Sequence, residues 1–161
     1  MKPNEFFFNE LKSLYQAEKL FLQLISKMID LAVSDRLSDL FTIRLNQMNQ
    51  HTVRLEDVFH FFEIPPQVRK SEGMEGLLAE ANTAVLENAN TAQIDAALIE
   101  NTQKIIHYKI ACYGCLCRWA DVMELNMIAD QLKMNLEDDK KFDAELTDIA
   151  VNEINEPAFS L

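Results

Sequence analysis

Residues 95–119, DAALIENTQKIIHYKIACYGCLCRW, decide the fold of this chain. The stretch has no proline and a single glycine, and its length and composition predict the main part of one long buried helix that ends near residue 122. Its predicted inner face is unusually polar, because Lys109 falls there, three residues after Ile106. We expect the other helices to pack around this one.

The composition favours one all-helical domain over residues 1–161. A chain of 161 residues is long enough to bury a core without disulfides or metal ions. Only 3 glycines and 4 prolines are present, which indicates long uninterrupted helices and argues against a strand-rich fold.

The first half of the chain predicts two antiparallel helices. Asn4 is placed to cap a helix over residues 4–31, and Ser34 is placed to cap the second helix. Pro65 and Pro66 end that second helix, because proline cannot continue the hydrogen-bonding pattern. The link between the two helices is only two or three residues long, so the helices should be neighbours.

The second half predicts one short helix and two long ones. Ser71 is placed to cap a helix over residues 72–88, and Asn90 with Gln93 matches a capping box for the central helix. The turn into the last helix is weakly marked, and we expect it at Glu124–Asn126 because asparagine tolerates a left-handed conformation.

Together these elements predict an all-α fold. Four helices of about 25–30 residues, the last of them closed by Pro157, form a four-helix bundle. One short extra helix lies in the connection between the second and third long helices.

Each long helix carries polar side chains near its middle, within its apolar stripe. In a bundle such positions can converge at one level, and di-metal sites are built by that convergence from carboxylates and histidines. The candidates are Glu18 on the first helix, Gln47 and His51 on the second, Lys109 beside Ile106 on the central helix, and Asp139 and Asp143 on the last.

Three interpretations of these residues stay open. In the first, the ammonium of Lys109 neutralises Glu18, Asp139 or both, while Gln47 and His51 complete the hydrogen bonds of a metal-free cluster. In the second, the carboxylates and the histidine bind a metal ion. In the third, the side chains do not converge.

A specific pattern runs along the central helix, at Asp95–Ile99, Gln103, Lys104, His107, Tyr108, Ile110, Ala111, Tyr113 and Gly114. With this pattern the chain resembles the bacterial YciE/YciF family of ferritin-like, stress-associated proteins of undefined activity. Shorter matches at residues 14–19, 74–81 and 136–140 extend the resemblance over nearly the whole chain. It implies a ferritin-like bundle and a homodimer.

The chain departs from the family where the family supplies carboxylates. Members usually carry glutamates on both sides of the central His-Tyr pair, where this chain has Ile106 and Lys109. On the second helix, a family histidine and glutamate are replaced by Arg44 and Gln47, whereas Glu18 is retained. The resemblance therefore predicts no bound metal and no cofactor, with iron or manganese as the alternative.

Three cysteines and one histidine of the central helix need separate interpretation. We expect Cys112, Cys115 and Cys117 to be reduced thiols that pack as small apolar side chains, because a thiol redox pair usually lies at a helix N-terminus. His107 is typical of a core or interface residue, with a role as a base or ligand as the alternative.

Charge and hydropathy limit the partners. A net charge of −11 disfavours nucleic acid, since phosphate backbones are repelled. No apolar run reaches the roughly 20 residues that span a bilayer. The N-terminal residues MKPNEFFF resemble no signal peptide, so we expect a cytoplasmic protein.

The sequence thus favours a non-enzymatic, stress-associated structural or interaction protein in which a Lys-carboxylate cluster replaces a di-metal centre. The alternative is an iron or manganese oxidase or peroxidase that uses Glu18, His51, Asp139 and Asp143. A third hypothesis is a dimer whose exposed Phe6–Phe8 segment binds a partner protein, which the sequence does not identify.

Overall fold

A computed structural model describes residues 4–160, and no strand occurs in that range. The described elements, in chain order, are α1 (Glu5–Leu31), α2 (Asp35–Phe61), α3 (Glu72–Asn88), α4 (Ile94–Val122), α5 (Asn126–Ile149), a π-helical turn (Ala150–Ile154) and α6 (Asn155–Phe159). The prediction of an all-α chain with one short helix between the second and third long helices is confirmed.

The four long helices form a bundle in which α3 lies in the connection between α2 and α4. Near the start of α1, Phe8 packs on Phe59 at the end of α2, and Phe6 packs on Trp119 at the end of α4. Helix α1 is therefore antiparallel to both neighbours, and α2 and α4 run parallel to each other. Such a bundle needs one long crossover connection, as in ferritin-like folds.

Apolar side chains from all four long helices fill the interior. Burying one leucine or phenylalanine stabilises a fold by about 1.5–3 kcal/mol relative to leaving it exposed. The ring centroids of Phe41 and Phe142, which are 6.5 Å apart, join α2 to α5. Other fully buried members of the core are Leu11, Phe21, Ile25, Leu55, Ile105 and Leu146.

The helix starts agree with the sequence in the first half of the chain. The side chain of Asn4 accepts a hydrogen bond from the backbone N–H of Phe6 at 2.9 Å, and Ser34 accepts one from Leu37 at 3.3 Å. Helix α2 ends at Phe61, several residues before the two prolines. Both predicted N-caps are confirmed.

The predicted caps of α3 and α4 are wrong in detail. Ser71 does precede α3, but its hydroxyl bonds Tyr108 of α4 at 2.9 Å and makes no cap hydrogen bond. The capping box fails because α4 begins only at Ile94, after Gln93, whose side chain makes no cap hydrogen bond. Asn90 instead takes a left-handed conformation with φ 62° in the turn before it.

The last helix also differs from expectation. The turn into α5 falls where predicted, but Glu124 takes the left-handed conformation, with φ 59°. Pro157 does not close the final helix. It lies in the first turn of α6, where a missing N–H removes no α-helical hydrogen bond.

Asp95, the first residue of the 95–119 stretch, connects the two halves of the bundle. Its Oδ1 accepts a hydrogen bond from the backbone N–H of Val33, and its Oδ2 accepts one from that of Ser34, each at 2.8 Å. The start of α4 thereby holds the short link between α1 and α2.

The aromatic N-terminal segment is mostly buried. Phe7 and Phe8 are 1% and 5% exposed, whereas Phe6 is 62% exposed, so the expectation of an exposed Phe6–Phe8 segment holds for Phe6 alone. Within residues 4–160, no helix has both the length and the apolar character needed to cross a membrane.

Candidate functional site

Lys109 of α4 lies in a buried cluster of charged side chains. Its Nζ atom is 3.0 Å from Oε2 of Glu18 on α1 and 3.2 Å from Oδ1 of Asp139 on α5, and all three side chains are fully buried. The ammonium also lies 5.1 Å from the ring centroid of Phe21. These are the contacts that the metal-free interpretation of the sequence predicts.

Arg44 of α2 supplies a second buried cation. Its Nη2 atom pairs with Oδ1 of Asp139, and its guanidinium carbon lies 4.9 Å from the ring centroid of Phe142, within cation–π range. Sequence patterns alone predicted no role for Arg44. Its position carried a signal, because it follows Phe41 by three residues and precedes Met48 by four, which places it on the buried face of α2.

His51 links the core to the surface of the bundle. Its Nδ1 atom is 3.1 Å from Oε1 of Glu18, and its Nε2 atom is 3.2 Å from Oδ2 of Asp138. The doubly protonated ring can donate to both carboxylates, whereas a neutral ring can donate to only one. Arg54 holds the outer carboxylate, since its Nη1 is 2.9 Å from the same Asp138 oxygen.

Tyr113 and Asn135 add hydrogen bonds from neutral side chains to the cluster. The hydroxyl of Tyr113 donates a hydrogen bond to Oε1 of Glu18 at 2.5 Å. The side-chain amide of Asn135 donates to the hydroxyl of Tyr113 at 3.0 Å and lies 3.2 Å from the backbone carbonyl of His51. Both side chains are fully buried, so these hydrogen bonds replace those that water would make.

The charges of the cluster shift the pKa values of its members. Burial alone would raise the pKa of Glu18, but Lys109, His51 and Arg44 together hold it well below its ordinary value. Burial, reinforced by the negative charge of Glu18, raises the pKa of Tyr113 well above its ordinary value. At neutral pH Glu18 is therefore a carboxylate and Tyr113 is a neutral phenol.

Three of the predicted positions lie outside this cluster. Gln47 is only half-buried, because it precedes the buried Met48 by one residue and so points about 100° away from it around the helix. Ile106 is fully buried in the apolar core. Asp143 bonds His107 at the surface, with 2.9 Å between Oδ2 and Nε2.

His107 is therefore a surface residue, contrary to the expectation of a core residue. Its side chain is 65% exposed. Gln103 fixes the opposite oxygen of its partner, since its Nε2 donates to Oδ1 of Asp143 at 3.0 Å.

The residues at the centre of the bundle do not fit a di-metal centre. Glu18, His51 and Asp139 each bring one potential ligand atom to within 4.8 Å of the others. However, Lys109 contacts both carboxylates and Arg44 contacts Asp139, so a metal ion bound there would lie beside two buried positive charges. Buried charges are tolerated when they are paired with the opposite sign, and here that pairing is already made.

The three cysteines are free thiols in different surroundings. Cys117 is buried and Cys112 is half-buried, and burial raises the pKa of each thiol to about 11. Cys115 is exposed. The prediction of apolar packing therefore describes Cys117 and, in part, Cys112, but not Cys115.

The fold and its centre define a class of all-α four-helix bundle with one long crossover and a cluster of buried ion pairs in its interior. Residues 2–159 match the protein family described as a domain of unknown function, DUF892. The chain belongs to this family.

Individual relatives agree with this assignment. Protein YciF of Escherichia coli K12 is 33% identical over 153 residues, which cover 94% of this chain and 92% of that protein. The crystal structure of the E. coli stress protein YciF has a TM-score of 0.89 at 32% identity, over 97% of this chain and 99% of that chain. YcfI of Rhodopseudomonas palustris, for which a structural role has been suggested, has a TM-score of 0.85 at 30% identity, over 88% and 90%. The resemblance to the YciF-like family is thus confirmed.

Proposed function

We propose that this protein is a metal-free, stress-associated structural or interaction protein whose bundle is held by an ion-pair cluster in place of a di-metal centre. The observation that carries the proposal is the fully buried position of Lys109 between Glu18 and Asp139, at 3.0 and 3.2 Å. The stress association rests on the similarity to YciF of E. coli, which is described as a stress protein. The structural role agrees with the one suggested for YcfI.

The charge balance of the cluster supports the absence of metal. Before His51 is counted, three carboxylates face three cations, namely Glu18, Asp138 and Asp139 against Arg44, Arg54 and Lys109. Two like unit charges 4 Å apart repel each other by about 4 kcal/mol at an effective dielectric constant of 20. A divalent ion beside Lys109 and Arg44 would meet a larger repulsion than this.

Metal analysis tests the proposal directly. We expect protein purified without chelator to contain well under one equivalent of iron, manganese or zinc per chain, measured by inductively coupled plasma mass spectrometry. Two equivalents of iron per chain would overturn the proposal.

A matched variant provides the positive control. Restoring the family residues with Arg44→His, Gln47→Glu, Ile106→Glu and Lys109→Glu removes both central cations and adds three carboxylates. We expect this variant to gain metal binding that the natural chain lacks. If the restored variant binds metal and the natural chain binds the same amount, the proposal is contradicted.

The second candidate function is an iron or manganese oxidase or peroxidase. The approach of ligand atoms from Glu18, His51 and Asp139 to within 4.8 Å favours it, although the fourth predicted residue, Asp143, lies at the surface with His107. It requires metal-dependent consumption of peroxide that is lost in Glu18→Ala. Metal-loaded protein without such activity would exclude it.

We further propose that the protein forms a homodimer in the cytoplasm, as the family resemblance implies, and that Phe6 contributes to contacts with a partner. Phe6 is 62% exposed and borders an apolar cavity of about 270 Å³ lined by Trp119, Val122 and Met123. Sedimentation velocity on the natural chain and on Phe6→Ser tests both points. If Phe6→Ser leaves the oligomeric state unchanged, Phe6 is not part of the dimer interface. If the natural chain is a monomer, the dimer proposal is wrong.

A further inference from the structure

A continuous line of hydrogen-bonding side chains runs from the surface of the bundle to Tyr113. At its outer end, the side chain of Asp138 is 33% exposed and lies 3.2 Å from Nε2 of His51. The other ring nitrogen of His51 lies 3.1 Å from Oε1 of Glu18, and the phenol of Tyr113 donates to that same oxygen at 2.5 Å. A histidine between two carboxylates is a suitable proton shuttle, because it can accept at one nitrogen and release at the other.

The phenol of Tyr113, at the inner end of this line, has Glu18 as a proton acceptor, but its ionisation is disfavoured. Burial and Glu18 together disfavour the phenolate, so the hydroxyl stays protonated at physiological pH. Loss of an electron changes this, because an oxidised phenol is a far stronger acid than a neutral phenol. The proton then transfers readily along the short hydrogen bond to Glu18.

We propose that Tyr113 is a redox-active tyrosine, which donates one electron to a one-electron oxidant such as an oxygen-derived radical while its proton leaves through Glu18, His51 and Asp138. This activity goes beyond the proposed structural role and requires no metal ion.

Oxidation of Tyr113 moves one electron to the oxidant and one proton to Glu18. The oxidant gains one electron, the O–H bond of Tyr113 breaks, and a new O–H bond forms at Oε1 of Glu18, which leaves a neutral phenoxyl radical. From the neutral ring with its proton on Nε2, His51 takes up the proton of Glu18 at Nδ1 and releases the Nε2 proton to Asp138, which leaves the ring neutral with its proton on Nδ1. A one-electron reductant such as a thiol restores the phenol when the proton returns by the same route.

The charges around Glu18 drive the proton outward. When Glu18 is protonated, Lys109 and Arg44 face only one remaining buried carboxylate, Asp139. An unbalanced positive charge in the core is unfavourable, so a proton left on Glu18 is displaced toward solvent. The relay through His51 to the partly exposed Asp138 provides that route.

Trp119 offers an entry point for oxidation on the same helix. It is the only tryptophan of the chain and is half-buried, with its ring centroid 5.1 Å from that of Phe6. It lies six positions after Tyr113, which corresponds to a rise of about 9 Å along the helix axis at 1.5 Å per residue. Oxidation of Trp119 therefore places a radical on the same helix as Tyr113, less than two helical turns away along the axis.

A second tyrosine supplies a matched control. Tyr15 also donates to a carboxylate, at 2.7 Å to Oε1 of Glu56, and its pKa is raised to about 12 by burial and by Glu56. His51 contacts Glu18 and Asp138, not Glu56. Tyr15 thus donates to a carboxylate, as Tyr113 does, but to one that is not hydrogen-bonded to His51.

Pulse radiolysis with azide radicals tests the proposal, since these radicals form the indolyl radical of Trp119 and the optical spectrum then reports its conversion to phenoxyl. We expect conversion in the natural chain and in Tyr15→Phe, and loss of conversion in Tyr113→Phe. Conversion that persists in Tyr113→Phe, or that disappears in Tyr15→Phe, overturns the proposal.

The relay is tested separately with Tyr113 left in place. Asp138→Asn removes the final proton acceptor, and we expect it to slow conversion on the order of tenfold or more, as loss of a positioned acid–base group does. This variant also serves if Tyr113→Phe does not fold, as judged by circular dichroism. A rate in Asp138→Asn equal to that of the natural chain, in both H2O and D2O, overturns the relay.

Discussion

Lys104 and Lys109 lie five residues apart on α4, and each ammonium lies between two carboxylates. Nζ of Lys104 is 2.6 Å from Glu80 and 3.0 Å from Glu100, whereas Nζ of Lys109 is 3.0 Å from Glu18 and 3.2 Å from Asp139. The shorter contacts belong to Lys104, whose side chain is 38% exposed, and the longer ones to Lys109, which is fully buried.

Burial, and not distance, decides how much such an ion pair contributes to the free energy of unfolding. Exposed ion pairs contribute about 0–1 kcal/mol, because water screens them and both side chains lose conformational freedom. Removing one partner of a buried pair costs about 3–5 kcal/mol, because it leaves an uncompensated charge in the core. The lysine–carboxylate ion pairs of Lys104 and Lys109 on α4 are therefore expected to contribute very different amounts to stability.

Lys109→Met should show the largest effect. It removes a buried cation, so Glu18 keeps only its hydrogen bonds, and we expect the free energy of unfolding to fall by about 3–5 kcal/mol. Urea denaturation followed by circular dichroism measures this loss. A loss below about 1 kcal/mol would mean that the ion pairs of Lys109 contribute no more to stability than exposed ion pairs do.

A double variant sharpens this result. Lys109→Met with Glu18→Gln removes the uncompensated charge as well as the cation, and we expect it to be more stable than Lys109→Met alone. If the two substitutions instead destabilise the chain additively, the two side chains are not coupled.

Acid should weaken the buried cluster next. The pKa of Glu18 is lower in the folded chain than its ordinary value of 4.5, so its stabilising contribution is complete above that pH and is lost as the pH falls below it. We expect the free energy of unfolding to fall more steeply below about pH 4.5 in the natural chain than in Glu18→Gln. Glu100→Gln, beside Lys104, is the exposed control and should keep the slope of the natural chain.

Lys104→Met should have a small effect. It removes the exposed counterpart of Lys109 from the same helix, and we expect a loss of about 0.2–1 kcal/mol in urea denaturation. A loss comparable to that of Lys109→Met would contradict the importance of burial.

Salt should have the smallest effect and should act on the exposed pairs alone. At 1 M salt the Debye length is about 3 Å, so the contribution of Lys104 is screened while that of Lys109 is not. We expect the difference in stability between the natural chain and Lys104→Met to shrink at high salt. The difference between the natural chain and Lys109→Met should remain, and its disappearance would indicate that water reaches the core.

Local signals predicted most of the fold. The spacing of apolar residues and the scarcity of glycine and proline predicted the long helices, and α3 covers the predicted range, Glu72–Asn88. The errors lie at turns, where tertiary contacts override local chemistry. Ser71 bonds Tyr108 and makes no cap hydrogen bond, and Glu124 takes a left-handed conformation that local preference would assign to asparagine.

The site was predicted in part. Lys109 with Glu18 and Asp139 followed from the need to pair buried charges, a rule that depends on residue type and helix face alone. Gln47 was misplaced because a one-residue step rotates a side chain by about 100°. The pairing of Arg44 with Asp139 depends on how α2 and α5 are aligned, which no local pattern records.

The contacts of Asp95 have a consequence for how the chain folds. Its hydrogen bonds to Val33 and Ser34 join residues that are 62 and 61 positions apart, whereas neighbouring helices such as α1 and α2 meet through a short link. Contacts between distant residues close large loops and tend to form late. Interactions that are absent from the folding transition state mainly slow unfolding. We therefore expect the hydrogen bonds of Asp95 to lower the unfolding rate of the bundle more than they raise its folding rate.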